Sequence, residues 1–166
     1  MSATATPAVG ESGSPVLRWH FCRFDRLSAR ELQYIFMARQ KVFAIEQRCA
    51  YLDADGHDEH AFHLAAWSPL QVEPVAYARI LDPGVKYREA SIGRVLTTAL
   101  GRGRGLGREL VGRALGHAAV AFPGVPVRIS AQTRLQSFYE TFGFVAVGSP
   151  YQEDGIDHTE MLRPAD

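Results

Sequence analysis

Residues Ile92–Leu110 read IGRVLTTALGRGRGLGREL, and this stretch decides the fold. The run Ser91–Thr98 is apolar and β-branched enough for a buried strand. From Gly105 to Phe122 the pattern turns helical, with Leu110, Val111, Ala114, Leu115, Ala118 and Phe122 on one side. Between strand and helix stand Gly101, Gly103, Gly105 and Gly107, which let the backbone bend tightly and approach a ligand. The first turn of such a helix offers unpaired N–H groups and the positive end of its dipole, a ready seat for phosphate. Arg102, Arg104 and Arg108 crowd that same positive end, where each cation costs up to about 1 kcal/mol unless an anion compensates. An anionic ligand resolves the conflict. A Walker loop needs a Gly-Lys pair, which the chain lacks. A dinucleotide GxGxxG fails too, at Leu106 or at Arg108 depending on its start. Arg102-x-x-Gly105-x-Gly107 is the spacing that remains.

Outward from this stretch the chain reads as one mixed α/β unit. Residues 1–15 (MSATATPAVGESGSP) have the composition of a flexible tail, and 16–166 form a single domain. A strand is predicted over Val16–Phe21. Ser28 and Glu31 make a capping box for a helix carrying Leu32, Ile35, Phe36, Arg39 and Phe43 on one stripe. That helix is predicted to break near Arg39 and to end around Gln47. An acidic loop, YLDADGHDE, follows, then strands over Phe62–Trp67 and Val75–Leu81. Val127–Ala131 is a further strand. Thr133 and Gln136 predict a second capping box, for a short helix with Leu135, Phe138, Tyr139 and Phe142 inward and Gly143 at its end. Strands at Phe144–Val147 and Thr159–Leu162 close the chain.

Composition narrows the function classes. The 166 residues are 46% hydrophobic and 22% charged, which excludes wholesale disorder. Eighteen basic and eighteen acidic residues cancel, so a protein living by non-specific nucleic-acid contact is not indicated. No apolar run approaches the roughly 20 residues of a membrane span. Cys22 and Cys49 form no CxxC pair and are expected to be reduced thiols in a cytoplasmic protein.

Arg102-x-x-Gly105-x-Gly107 resembles the pyrophosphate loop of the GNAT acyl-CoA-dependent N-acetyltransferases. AQTRLQSFYETFGF resembles that family's second motif, with Phe138-Tyr139-Glu140 on a helix before Gly143-Phe144. The blocks RQKVFAIEQRCAYLDADGHD, VAYARIL, IGRV and YQEDGIDH are similar to the ElaA-like subgroup and run in order from roughly Arg39 to Met161. The resemblance implies a mixed six- to seven-stranded sheet, splayed into a V between the strands at 91–98 and 127–131, with flanking helices. It implies acetyl-CoA as co-substrate in the V. Backbone groups of Val95, Leu96 and Thr97 would pair with the pantetheine arm. Amides of Arg102, Gly103, Arg104, Gly105, Leu106 and Gly107 would hold the pyrophosphate, with Arg108 beside it. GNAT domains also often pair, so a homodimer is an expectation.

Moving an acetyl group from a thioester to a primary amine requires an amine that loses a proton, a stabilised carbonyl oxygen and a reprotonated thiolate. The N–H of Leu96 suits the second need. Tyr139 suits the third, since a phenol near pKa 10 and a thiol near 8.5 exchange a proton readily. Glu46, at the end of the first helical region, is the favoured base, with Asp53, Asp55 and His158 as rivals and a water chain without a dedicated base as the further alternative. Arg39, Arg79 and Arg94 sit among apolar neighbours and call for carboxylate partners, with Glu46, Asp53 and Asp55 the candidates. Arg79, Asp53 and His158 are the expected acceptor-side residues, Arg79 by analogy with acyl-homoserine-lactone synthases. A metal is not expected. An EF-hand reading of the acidic loop from Asp53 has Gly56 fourth rather than sixth and Leu64 where Glu is needed. No cysteine is set in an activating context, so attack is expected to be direct, in a ternary complex. The alternative is a CoA-binding sensor or partner-binding module without turnover. An arginine-based nucleic-acid binder is a third reading, expected to lose affinity steeply with salt.

Overall fold

A computed structural model describes residues 15–165. Apart from Pro15, the predicted tail lies outside the described residues. Strand β1 (Arg18–Arg23) leads to helix α1 (Ala29–Arg39), whose last turn widens without a break into a π-helical segment, Gln40–Glu46. Strands β2 (Ala61–Trp67), β3 (Ala76–Leu81) and β4 (Ala90–Thr97) follow, then α2 (Leu106–Ala121) and β5 (Val127–Gln132). The chain ends with α3 (Gln136–Glu140), β6 (Val145–Ala146), β7 (Tyr151–Glu153) and β8 (Ile156–Arg163). All eight strands share one sheet in the order β1-β2-β3-β4-β5-β8-β6, with β7 also on β8. The count exceeds the predicted six or seven by the short β7 hairpin arm.

Period-two alternation loads both faces of this sheet. Leu64, Ala66, Ala78 and Ile80 pack with Leu110, Val111 and Ala114 of α2. Ala65, Tyr77 and Leu96 face the other way and meet Ile35, Ala38, Val42 and Phe43. With helices on both faces, all six residues of β3 are buried. Ser28 caps α1 as the sequence indicates, its hydroxyl accepting from the Glu31 amide while the Glu31 carboxylate accepts from the Ser28 amide.

β4 and β5 run parallel but pair only at Ala90↔Val127 and Ser91↔Arg128. Beyond Ser91 they part, and the sheet opens into the expected V. Three predictions need correction. The break near Arg39 is a change from α- to π-helical turns, with the helix continuing through it. The first strand begins two residues late, at Arg18. The Thr133/Gln136 capping box does not form, because the Thr133 hydroxyl bonds the Thr159 hydroxyl (2.9 Å) and a 3₁₀ turn carries the chain into α3.

Candidate active site

Gly105 starts α2 in the left-handed conformation (φ +72°) and has no side chain with which to cap it. Gly103 is also left-handed (φ +75°), a region only glycine enters cheaply. A Cβ added at Gly103, Gly105 or Gly107 would meet nothing within 4 Å. These glycines therefore line open space before an uncapped helix end, a cradle that fits a pyrophosphate. Gly101 differs. A Cβ there would sit 2.7 Å from the Val75 carbonyl oxygen, so packing against the entry to β3 is what forbids a side chain.

The arginines of the loop are already engaged. Arg102 donates from Nε to the Thr97 carbonyl (3.0 Å) and from Nη2 to the Glu46 carboxylate (2.5 Å). It thus bridges the end of β4 and the end of the π-helical segment. Arg108 reaches from α2 to α3, donating to Thr141 Oγ1 (3.2 Å) and lying over Phe138 and Phe142. Arg104 lines a cavity of about 200 Å³ with Leu100, Leu106 and Glu109.

On the near arm of the V, β4 is irregular. Arg79 pairs with Gly93 but Tyr77 with Leu96, so Arg94 and Val95 together oppose Ala78 in a β-bulge. Arg94 takes φ +53°, a region that costs a residue with a Cβ about 1–2 kcal/mol. From Ile92 to Thr97 the strand has no ladder partner on its β5 side. Val95, Leu96 and Thr97 therefore turn one set of backbone groups toward the cleft.

Beneath this arm lies an ion network that the sequence foretold only in part. Arg39, wholly buried, donates to Asp53 Oδ2 and Asp58 Oδ1, both at 2.7 Å. Arg79, 2% exposed, grips both oxygens of Asp55 at 2.7 Å and reaches Asp58 at 3.1 Å. Arg94 donates to Asp53 Oδ1 (2.8 Å) and Asp55 Oδ2 (3.2 Å). Burial alone would raise the Asp55 carboxyl. The hydrogen bonds and charge of Arg79, with the His57 amide and Arg94, outweigh it and hold Asp55 well below the usual carboxylate range. Asp58 is lowered likewise, burial being overcome by Arg39 and Arg79. Asp58 was not foreseen as a partner; only its acidic neighbourhood was visible. Glu46, named as a candidate partner, stands outside the network and pairs with Arg102 instead.

The other expected site residues are dispersed. Arg79 and Asp53 are tied into the network through both terminal nitrogens of Arg79 and both carboxylate oxygens of Asp53, and the buried Arg79 Nε has no partner among the described residues. His158 is on β8, its Nδ1 2.9 Å from the Ile156 carbonyl oxygen and its ring stacked near Tyr151. Tyr139, on α3 at the far arm, is 7% exposed and packs edge-on against Phe138 and Phe144. Burial pushes its phenol up to about 12. The hydroxyl has no hydrogen-bond partner among the described residues and is not sealed from solvent. On β2, His63 is buried between the Tyr77 hydroxyl (2.8 Å) and the Asp58 carbonyl (2.9 Å). Among the described residues no group of three or more His, Cys, Asp and Glu is arranged to hold a metal ion.

A sheet split between β4 and β5, with a glycine cradle at the head of α2 beside the split, is the architecture of acyl-CoA N-acyltransferases. The family model described as "Acetyltransferase (GNAT) domain" matches residues 37–163, and the chain belongs to that family. It falls in the ElaA-like subgroup. Protein ElaA of Escherichia coli is 37% identical over 150 residues, covering 89% of this chain and 97% of that protein. UPF0039 protein sll0451 of Synechocystis is 41% identical over 146 residues, 88% and 94% of the two chains. Among solved structures, an acyl-CoA N-acyltransferase from Pseudomonas aeruginosa superposes with a TM-score of 0.85 at 39% identity, covering 89% of this chain and 99% of that one. The acyl-homoserine lactone synthase BjaI, at 15% identity and TM-score 0.74, shares the fold alone. Among the described residues no helix is long and apolar enough to cross a membrane.

Proposed function

We propose that this protein transfers the acetyl group of acetyl-CoA to a primary amine by direct attack within a ternary complex. The observation that carries this is the adjacency of two unmet backbone surfaces: the uncapped, glycine-lined start of α2 and the unladdered side of β4. The first suits a pyrophosphate held by the amides from Arg102 to Gly107, the second a pantetheine arm along Val95–Thr97. On this reading Arg102 leaves Glu46 for the phosphates, and Arg108 keeps its aromatic seat at their flank.

Chemistry then follows from the residues left free. The ammonium of the acceptor loses one proton to water before attack. Its nitrogen bonds to the thioester carbon while the carbonyl electrons move to oxygen, where the Leu96 N–H stabilises the charge. Glu46, half-exposed and outside the buried network, takes the second proton directly or through water. The carbonyl re-forms as the C–S bond breaks, Tyr139 supplies the proton that sulfur needs, and solvent returns a proton to the phenoxide. A phenol near 12 facing a thiol ordinarily near 8.5 leaves a gap of about 3.5 units, or ~5 kcal/mol. Burial raises a thiol as it raises a phenol, so a CoA sulfur desolvated in the same cleft narrows that gap. Asp53 and Arg79 support the site from below, and His158 flanks the acceptor side. The setting is the cytoplasm, where Cys22 and Cys49 stay reduced.

Release of free CoA thiol from acetyl-CoA across a panel of amines, lysine peptides and peptide N-termini tests this. Acceptor-dependent release is expected. Binding of CoA with no release for any amine would favour a CoA sensor, and a burst of acetyl-enzyme lost in Cys49→Ser would overturn direct attack.

A further inference from the structure

The left-handed residue in the β4 bulge is an arginine, although a glycine precedes it. Gly93 is not in the left-handed region, and a Cβ there would meet nothing within 4 Å, so the strain is carried by Arg94 without steric need at its neighbour. Strain of this kind persists only where surrounding structure over-determines it, and bulges re-aim a strand beside active sites. The Arg94 guanidinium supplies that determination. Its Nε meets Asp53 Oδ1 at 2.8 Å, and its Nη2 meets the Asp53 carbonyl at 3.1 Å and Asp55 Oδ2 at 3.2 Å. Its Cζ lies 5.1 Å from the Tyr51 ring centre. Both carboxylates are themselves anchored by buried arginines, Asp53 by Arg39 and Asp55 by Arg79. The acidic loop is therefore a fixed mount, and Arg94 is the strut from that mount to the bulge.

Resting on the proposed acetyl-transfer reading, we infer that Arg94 is a positioning residue: its bonds to Asp53 and Asp55 hold the bulge in the conformation that presents the following β4 amides to the thioester carbonyl. Arg94 itself touches no reacting atom. The acidic loop thereby acts on the reaction through the backbone of β4 rather than through its own carboxylates.

The test is isotope-edited infrared spectroscopy of acetyl-CoA, ¹³C-labelled at the carbonyl and bound to the full chain. In the wild type a hydrogen bond to the carbonyl moves its band to lower wavenumber than in free acetyl-CoA. Arg94→Gly tolerates the left-handed backbone but removes the strut; with the complex saturated in acetyl-CoA, the band is expected to return toward its free position and broaden. Arg94→Lys, which keeps a cation but loses the fork, is expected to lie between and serves if the glycine variant does not fold. A wild-type band in both variants overturns the role of Arg94 and leaves the acetyl-transfer reading intact. A wild-type complex whose band does not move overturns the carbonyl site on β4, and this inference with it.

Discussion

Glu46→Gln is expected to improve CoA binding and to impair transfer, and the opposed signs make it the most informative single change. In the unliganded protein Glu46 holds Arg102 at 2.5 Å, with the two side chains 41% and 45% exposed. An exposed pair of this kind is worth about 0.2–1 kcal/mol. If phosphate must draw Arg102 away, releasing it beforehand lowers the CoA Kd by about 1.4- to 5-fold, a tenfold change being 1.4 kcal/mol. Arg102→Gln goes the other way. Losing a charge-assisted hydrogen bond of about 1.5–3 kcal/mol raises the Kd by about 10- to 140-fold. In the double variant the Glu46 change should have no effect on affinity, because there is no arginine left to release. Titration calorimetry with CoA at low ionic strength reads all four corners of this cycle. Turnover with an accepted amine should meanwhile fall by about 10²-fold or more in Glu46→Gln, the size of a general-base contribution. Weaker CoA binding in Glu46→Gln, or an equal gain with and without Arg102, would refute the competition between carboxylate and phosphate.

Tyr139→Phe should lower kcat by about 10²-fold where chemistry limits turnover, with CoA affinity and thermal stability unchanged because the hydroxyl has no partner to lose. A phenol held near 12 stays protonated through the assay range, so no fall in kcat/KM between about pH 8 and 10 should trace to Tyr139. Gly107→Val, placed in open space, should leave the melting temperature nearly unchanged but raise the CoA Kd by about tenfold or more, the worth of one charge-assisted hydrogen bond. Asp55 and Asp58 have folded pKa values below the unfolded carboxylate near 3.9, so their stabilisation is complete above about pH 5 and is lost as pH falls toward the folded values. Urea unfolding from about pH 7 down to pH 3 should follow that loss, and Asp58→Asn should flatten it while costing about 3–5 kcal/mol at neutral pH.

The fold was legible wherever one local rule met no competitor. Ser28 and Glu31 cap α1 because one Glu31 oxygen stays on Ser28 while the other meets His20, whereas the Thr133 hydroxyl finds Thr159 on a distant strand and the same motif fails. β7 escaped detection because all three of its residues are exposed, leaving no alternation to read. Its one signal is the Asp154-Gly155 pair, which forms a hairpin turn with both residues at positive φ. The predicted break near Arg39 falls where α1 gives way to the π-helical Gln40–Glu46, but apolar spacing does not register the i→i−5 bond that marks it. At the site, Arg39, Arg79 and Arg94 announced themselves as charges among apolar neighbours. Their partners depended on how a nine-residue loop folds over the sheet, so Asp58 was missed and Glu46 was assigned to the wrong arginine set.

The six residues of β4 from Ile92 to Thr97 amount to a sheet edge placed inside the molecule. Edges elsewhere in proteins are blunted because any chain with free N–H and C=O groups can add to them. Here the edge is kept open for a partner that is not a protein, and on the proposed reading each bound CoA completes the ladder as a borrowed strand. A ligand that binds only the folded form stabilises it by about 2.7 kcal/mol at a hundred times its Kd. On the same reading, the stability of the fold rises with the CoA concentration. In scarcity, the same edge is the place where a second polypeptide would add and aggregation would begin.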